Sequence, residues 1–289
     1  MNRFLLCKPI LLLILLLGII PCNGMLLAQE ESFQQIMKRL QTDGFNADQI
    51  QSLYAKPDVQ FDPQTVSRFF MHSESRVDYS KFLSEPAIQQ ARWYLFRHDA
   101  ELVAAENRMG VEKEVITAIL LVETRMGNYL GDSSILNTLS SLAALQDNPA
   151  LQARVWNAMP AERRISESLF KEKVLKRSQW AYDELKALLR YASREGIDPV
   201  SLRGSYAGAL GIAQFMPSNI LTYGIDGDGD GHVDLFDHAD AIASVANYLK
   251  QYGWKKGIDD AKAREVIFHY NHSQPYVDTI LKVAQRLKG

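Results

Sequence analysis

Apolar residues recur at three- and four-residue spacing along most of the chain after Glu31, whereas strand-like alternation is nearly absent. Glycines and Asp-Gly pairs separate the periodic segments, as expected where one helix ends and the next begins. A chain with this pattern has to bury its core between helices, so the sequence predicts a mainly α-helical fold. The pattern predicts long helices at Ser32–Gln41, Pro86–Arg108, Glu112–Met126, Lys173–Arg194, Asp237–Tyr252 and Asp260–Leu287.

The first residues differ in kind, because two basic residues precede the almost purely aliphatic run Pro9–Ile20. A short positive region followed by about a dozen apolar residues is typical of a secretory signal peptide. The sequence therefore predicts a signal peptide over residues 1–28, with cleavage after Gly24 or after Ala28. An uncleaved anchor is the alternative, although a membrane-spanning helix needs roughly 20 apolar residues.

Both cysteines, Cys7 and Cys22, lie in this leader, so the mature chain is expected to form no disulfide. Cys22 follows the apolar run and is a candidate lipidation site, but Pro21 stands where a lipoprotein signal favours a small residue. We therefore expect a soluble periplasmic protein, with an outer-membrane lipoprotein attached through Cys22 as the alternative. The formal net charge of -2 gives no general attraction to nucleic acid, which we exclude as a partner.

Two stretches depart from the helical pattern. The polar segment Gln146–Arg164 contains two prolines and is expected to be an exposed loop or insertion. The segment Gly204–Asp237 is rich in glycine and aspartate, and long connections of this kind often carry function. The small residues within Gly204–Ser218 allow close approach of the backbone, either to a sugar or to a neighbouring helix. For the glycines themselves we favour helix packing.

One carboxylate stands on an apolar helix face. On the predicted helix Glu112–Met126, Glu123 continues an apolar stripe that includes Ile116, and Gly127 is placed to end the helix soon afterwards. Burial disfavours the charged form and the negative end of the helix dipole repels it, so both effects would raise the pKa of this carboxyl. A raised pKa suits a general acid that works near neutral pH. The alternative is a structural glutamate paired with Arg125 or another cation at the helix end.

An acidic loop follows the glycine-rich segment. Asp226, Asp228 and Asp230 alternate with glycines, and the sixth position is Gly231, as in the first half of an EF-hand calcium loop. Position 12 is Asp237, where the standard loop has glutamate. Hard oxygen ligands favour Ca²⁺ over zinc, and a solvated Asp-Gly turn is the alternative. A single loop favours a structural role for the ion over a sensing role.

Three motifs in order resemble the membrane-bound lytic transglycosylase B family of bacterial cell-wall enzymes. They are VETRMG at Val122–Gly127, GSYAGALGIAQFMPS at Gly204–Ser218 and FHYNHS at Phe268–Ser273, and the similarity extends over about Ser32–Leu287. The resemblance implies a lysozyme-like, mostly helical catalytic region over residues 29–289 with an additional N-terminal helical region. It also implies a calcium loop over residues 226–240, elongated relative to the standard EF-hand.

The resemblance further implies roles for individual residues. Glu123 would be the single catalytic acid/base. The residues that would line the saccharide cleft are Tyr79, Ser205, Gln214, Tyr248, Tyr270 and Asn271. The residues that would hold the ion are Asp226, Asp228, Asp230, His232 through its carbonyl, and Asp240. Without the resemblance, Tyr248 and Tyr270 would be interpreted as core residues.

Only one carboxylate is embedded in an apolar face, whereas most glycosidases need two. The resemblance supplies a reaction in which one is sufficient: Glu123 protonates the bridging oxygen of the MurNAc-β-1,4-GlcNAc bond, and the MurNAc C6 hydroxyl closes onto C1 to give 1,6-anhydro-MurNAc. The expected partners are peptidoglycan glycan strands and other cell-wall enzymes, with the protein itself a monomer. The alternatives are a lysozyme-type hydrolase and a non-catalytic peptidoglycan-binding protein.

Overall fold

A computed structural model describes residues 23–73 and 77–289, with side chains described from Ser32 onward. Residues 1–22, which contain both cysteines and nearly all of the predicted signal peptide, lie outside the described residues. Within the described ranges, no helix is both long enough and apolar enough to cross a lipid bilayer.

The described chain is mainly α-helical, as predicted, and its small strands β1 (Ser133–Ser134) and β2 (Arg203–Gly204) pair antiparallel. Short 3-10 helices occur at Ser80–Leu83 and Ala161–Arg163. The α-helices are α1 (Asn23–Thr42), α2 (Ala47–Tyr54), α3 (Pro63–Met71), α4 (Glu85–Arg97), α5 (Asp99–Met109), α6 (Lys113–Thr124), α7 (Ile135–Ala143), α8 (Pro149–Ala158), α9 (Glu167–Glu195), α10 (Pro217–Tyr223), α11 (His238–Gln251), α12 (Asp260–Tyr270) and α13 (Gln274–Lys288).

Two predicted helices are each divided in the structure. The predicted helix Pro86–Arg108 breaks at His98, whose φ of -111° and ψ of 30° leave the helical region. The predicted helix Asp260–Leu287 breaks because Asn271 is extended and Ser273 then caps α13 by accepting a hydrogen bond from the next turn. Pro275, which has no N–H to donate, lies in the first turn of α13, where such a residue is tolerated.

The prediction of an exposed loop at Gln146–Arg164 is wrong, because most of this segment is α8 and a 3-10 helix. One of the two prolines that suggested a loop lies at the start of a helix instead. The Asn148 side chain accepts a hydrogen bond from the backbone of Leu151, and a proline occupies the first turn. Leu151 and Val155 are buried, and α8 packs against α3.

Helix α6 lies at the centre of the fold. Its seven residues Val115–Leu121 are all buried, as expected of a helix that is apolar on every side. Helices α4, α5, α11 and α13 pack around it, while α7 packs against α9. Glu123 follows this buried segment by two residues, so its carboxylate lies at the edge of the core.

The glycine-rich segment is folded back on itself by backbone hydrogen bonds between Leu210 and Phe215. Its glycines permit close approach both to helix α7, where a Cβ on Gly208 would lie 2.8 Å from the Leu139 side chain, and to neighbouring turns and short strands. A Cβ on Gly204 would lie 2.0 Å from the carbonyl oxygen of Ala209, and a Cβ on Gly131 would lie 2.2 Å from that of Gly204. A side chain at either position is therefore excluded unless the backbone moves.

Candidate active site

Glu123 lies in the last turn of α6, close to the predicted position, although the helix ends at Thr124 and not at Gly127. Three consecutive residues then have positive φ: 49° at Arg125, 58° at Met126 and 90° at Gly127. The left-handed region costs a non-glycine residue about 1–3 kcal/mol, so two such residues in succession require support from their surroundings. The chain reverses direction directly after the carboxylate.

The hydroxyl of Thr124 supplies part of this support. It donates to the carbonyl oxygen of Ile212 at 2.8 Å and accepts from the N–H of Gly127 at 2.9 Å. The backbone carbonyl of Thr124 also accepts from the N–H of Tyr129 at 2.9 Å. These bonds fix the reversed turn and tie it to the glycine-rich segment, so Glu123 is held on a rigid element.

Tyr276 is a direct partner of the carboxylate. Its hydroxyl donates to Glu123 Oε1 at 2.6 Å, and its ring is 1% exposed. Burial, reinforced by the negative charge of Glu123, raises the pKa of Tyr276 well above its ordinary value, so this hydroxyl remains a donor. Tyr276 was missed by the sequence analysis, because the contact joins α6 to α13 across 153 positions.

The proposed ion pair between Glu123 and Arg125 is absent among the described residues. The guanidinium of Arg125 lies over the ring of Tyr129, 5.1 Å from its centroid. This contradicts the interpretation of Glu123 as a structural residue paired with Arg125.

Two of the predicted tyrosines surround Tyr276. The ring of Tyr79 meets that of Tyr276 edge-on at 5.9 Å, and the ring of Tyr270 lies parallel to it at 6.4 Å. The hydroxyl of Tyr270 donates to the carbonyl oxygen of Ala213 at 2.6 Å. This cluster therefore links Glu123 to the glycine-rich segment through rings and one short hydrogen bond.

Tyr248 lies in the core and not on a cleft surface. It is 4% exposed, and its hydroxyl donates to the backbone carbonyl of His269 at 2.8 Å. Its ring packs edge-on against Tyr270 at 5.0 Å. This burial is that of a core residue, and a direct saccharide contact for Tyr248 stays a prediction. Its position supports the ring of Tyr270.

Gln214 and Asn271 lie beside this cluster, next in sequence to Ala213 and Tyr270. Gln214 has a φ of 50°, and its Nε2 donates to the carbonyl oxygen of Gly211 at 2.9 Å, which fixes the side chain. Both residues are half-buried. Among the described residues, the carbonyl oxygen of the Gln214 amide accepts no hydrogen bond, so it is available to a ligand.

Ser205 occupies a separate place in the glycine-rich turn. Its half-buried hydroxyl oxygen accepts from the N–H of Ala209 at 3.0 Å and from that of Ala207 at 3.3 Å. The hydroxyl hydrogen is left to donate elsewhere. No hydrogen bond or ring contact between described residues joins Ser205 to the Glu123 cluster.

A cavity of about 330 Å³ opens beside Glu123. Lys81 and Arg125 bring positive charge to its walls, and the ring of Tyr129 stands on its rim with 66% of its surface exposed. Glu123 is the one carboxylate among its described lining residues. The arrangement offers a single proton donor and acceptor to a ligand that carries negative charge.

The acidic loop brings three of its predicted ligands together. Carboxylate oxygens of Asp226, Asp228 and Asp240 lie within 4.8 Å of one another. Asp240 is 2% exposed and accepts from the N–H groups of Gly227 at 2.7 Å and Asp234 at 2.6 Å. Its burial raises the pKa of the carboxyl, and the nearby aspartates act in the same direction.

Asp230 and His232 are the other two predicted ligands. Asp230 is outside the three-carboxylate cluster, and its Oδ1 accepts from the N–H of His232 at 2.8 Å. The ring of His232 points to α9, with Nδ1 3.2 Å from Glu195 Oε2. Three converging carboxylates of which one is buried fit a hard, oxygen-loving cation such as Ca²⁺, since their charges would otherwise repel.

Comparisons with known proteins agree with this description. The family model described as Transglycosylase SLT domain matches residues 28–263. Over 177 residues the chain is 35% identical to the membrane-bound lytic murein transglycosylase B of Escherichia coli (strain K12), covering 61% of this chain and 41% of that relative. The chain thus matches less than half the length of that relative.

Solved structures confirm the lysozyme-like fold. The soluble lytic transglycosylase SltB1 from Pseudomonas aeruginosa superposes with a TM-score of 0.70 at 26% identity, covering 89% of this chain and 98% of that one. The Escherichia coli lytic transglycosylase Slt35 in complex with calcium superposes with a TM-score of 0.70 at 24% identity, covering 89% and 92%.

Proposed function

This chain belongs to the Transglycosylase SLT domain family, and we propose that it is a lytic transglycosylase that cleaves the MurNAc-β-1,4-GlcNAc bond of peptidoglycan. The observation that carries the proposal is the placement of Glu123, at the end of a buried helix and 2.6 Å from the Tyr276 hydroxyl. A carboxyl positioned by a buried donor beside a cavity is what a general acid/base requires.

In the first step Glu123 gives its proton to the bridging oxygen as the bond from that oxygen to MurNAc C1 breaks. The MurNAc acetamido oxygen bonds to C1, and the leaving GlcNAc keeps the proton. In the second step the C6 oxygen attacks C1, the acetamido bond to C1 breaks, and Glu123 takes the C6 hydroxyl proton. The product is 1,6-anhydro-MurNAc, Glu123 regains its starting form and no water is consumed.

The hydroxyl of Tyr276 donates to the carboxylate that exists between the two steps, so it stabilises the form of Glu123 that has just lost its proton. We assign Ser205 and Asn271 to orient the acetamido group, and Gln214 to accept a hydrogen bond from the sugar. Tyr79 and Tyr270 hold the ring of Tyr276 from two sides.

The single carboxylate of the cavity favours intramolecular transfer over hydrolysis. An inverting or retaining glycosidase needs a second carboxylate at a defined distance from the first. Among the described residues that line the cavity, Glu123 has no such companion. The substrate's own acetamido and C6 hydroxyl groups replace it.

The acidic loop would hold a structural Ca²⁺ through Asp226, Asp228 and Asp240, with Asp230 and the carbonyl of His232 completing the set. The ion would neutralise the converging carboxylates and fasten the loop to the start of α11, and it takes no part in bond cleavage. The donor chemistry supports this assignment, and the related Slt35 structure contains calcium.

The site of action would be the periplasm, reached through the predicted signal peptide over residues 1–28. A soluble monomer is our first proposal, with a lipoprotein attached through Cys22 as the second. The relative from Escherichia coli is named as membrane-bound, which keeps the second open. The glycan strand is the proposed partner, and other cell-wall enzymes are further candidates.

The decisive experiment is digestion of purified sacculi followed by mass spectrometry of the released muropeptides. We expect anhydro-MurNAc ends, which are one water lighter than the reducing ends that a hydrolase would produce. Glu123→Gln should abolish release while leaving glycan binding and thermal unfolding unchanged. Glu114→Gln, the same change in the first turn of the same helix, is the matched control. Release by Glu123→Gln at the rate of the unsubstituted protein would overturn the assignment.

A further inference from the structure

A second cavity, of about 460 Å³, is lined by other residues of the turn that follows Glu123. Arg125 and Tyr129 line the cavity of Glu123, whereas Met126, Asn128 and Leu130 of the same turn line the second one. Its volume falls within the range of small-ligand sites, about 300–1,000 Å³. The proposed reaction makes no use of this cavity.

An exposed aromatic pair marks its edge. Trp93, a lining residue on α4, is 66% exposed, and the neighbouring Phe96 is 77% exposed. The two rings meet edge-to-face at 6.0 Å. A solvent-facing indole offers the flat apolar surface against which the face of a sugar ring packs.

The charge of the cavity comes from Arg97. Arg92 on the same helix pairs with Glu85 at 3.5 Å, but Arg97 forms no ion pair with any residue in the described ranges. A guanidinium without a carboxylate partner at a cavity wall is suited to an anionic ligand group.

Two histidines and a tyrosine that contact one another form part of the lining. The rings of His98 and His238 lie 4.4 Å apart, and the hydroxyl of Tyr94 is 3.0 Å from His238 Nδ1. Burial lowers the pKa of His98 and of His238, so near neutral pH this part of the lining adds no positive charge. The negative group of a ligand would therefore be directed to Arg97.

From these contacts we propose that the second cavity binds a peptide-bearing disaccharide of peptidoglycan, with a sugar ring against Trp93 and a stem-peptide carboxylate at Arg97. The choice of ligand rests on the proposed function, because peptidoglycan combines a sugar face with carboxylates. The turn that follows Glu123 is held by Thr124 and by the bond from Gln214 Nε2 to the carbonyl oxygen of Leu130, at 3.3 Å. The protein thus binds its substrate at two separate positions, and the turn after Glu123 contributes lining residues to both.

The first test counts bound ligands. Calorimetric titration of the Glu123→Gln protein with purified disaccharide-tetrapeptide gives the number of fragments bound without cleavage. Adding Trp93→Ala to that protein should lower the number by one, whereas adding Leu175→Ala, which removes another side chain that is 77% exposed, should leave it unchanged. An equal number of bound fragments in the Trp93→Ala protein and its parent overturns the proposal.

The second test separates the sugar from the charge. Trp93 is the one strongly exposed tryptophan in the described ranges, so a change in tryptophan fluorescence on ligand binding reports on this cavity. Loss of that fluorescence change in Trp93→Phe would verify its source. Arg97→Gln should weaken the affinity for the peptide-bearing fragment about tenfold, because one hydrogen bond to a charged group is lost. The affinity for neutral chitobiose should change less than twofold. Equal effects on both ligands, or none, overturn the assignment of the carboxylate to Arg97.

These outcomes are independent of the proposed reaction. Failure of the unsubstituted protein to release anhydro-muropeptides would overturn the proposed function, even if Trp93→Ala lost one bound fragment. Conversely, normal release together with an unchanged number of bound fragments would overturn only the second binding site.

Discussion

Replacement of Tyr276 by phenylalanine removes one hydroxyl from a site where everything else can stay in place. The ring is 1% exposed and is held by Tyr79 and Tyr270, so the phenylalanine ring fits the same space. The change deletes the 2.6 Å hydrogen bond to Glu123 Oε1. It therefore tests whether the reaction depends on that bond or only on the packing of the ring.

The magnitude follows from the charge on the acceptor. A hydrogen bond to a charged group contributes about 1.5–3 kcal/mol, and this one reaches full strength only when Glu123 has lost its proton. Since each 1.36 kcal/mol corresponds to a factor of ten in rate, kcat should fall by about 10- to 100-fold. KM should change little, because the hydroxyl faces the carboxylate and not the sugar.

The assay is the initial rate of anhydro-muropeptide release, with thermal unfolding measured in parallel. Tyr54→Phe is the matched control, since Tyr54 is also buried and its hydroxyl lies 2.7 Å from Ser140 Oγ in a different part of the fold. The control should release product at the unsubstituted rate. A Tyr276→Phe protein that keeps its kcat within twofold would refute a role for this bond in proton transfer.

Three further predictions concern stability. Removing divalent cations with a chelator should lower Tm by about 5–10 °C, and Ca²⁺ should restore it except in Asp240→Asn; an unchanged Tm would count against the metal site. Burial raises the pKa of Glu184 above 4.5 despite two hydrogen bonds from Ser218, so this group destabilises the fold increasingly as pH rises from about 4.5. Glu184→Gln should therefore gain stability relative to the unsubstituted protein in urea unfolding between about pH 4 and 7, and a pH-independent difference would contradict this. Gly204→Ala should lower the unfolding free energy by at least about 2 kcal/mol, because its Cβ would meet the carbonyl oxygen of Ala209 at 2.0 Å; a neutral effect would mean that the turn can relax.

Local signals in the sequence were sufficient for most of the helices and for the position of Glu123. The central helix is apolar on all sides, which made its burial predictable, and the glutamate lies within one turn of its end. The alternation of aspartate and glycine likewise predicted that the carboxylates of Asp226 and Asp228 lie together, whereas Asp240, the third member of the cluster, was predicted only through the family resemblance.

Features that depend on distant packing were not predictable in this way. Tyr276 reaches Glu123 from another helix, α13. The sequence of α6 does not indicate which residue of a distant helix will contact Glu123. The helix breaks at His98 without a glycine or proline, and the ring of His98 lies against that of His238 from α11. The α8 segment was misjudged because the same Asn-Pro pair begins both loops and helices, and burial against α3 decides between them.

The turn after Glu123 has a consequence for how such a protein can change. Glycine at positions 125 and 126 would fold with less strain, yet Arg125 and Met126 occupy left-handed backbone there. Their side chains face different cavities, so one short turn furnishes walls to both. A mutation that lengthens or relaxes this turn therefore reshapes two surfaces at once. We therefore expect that a substitution at this turn changes both cavities together. A substitution that stabilises the turn by relaxing its backbone would at the same time alter the shape of both cavities.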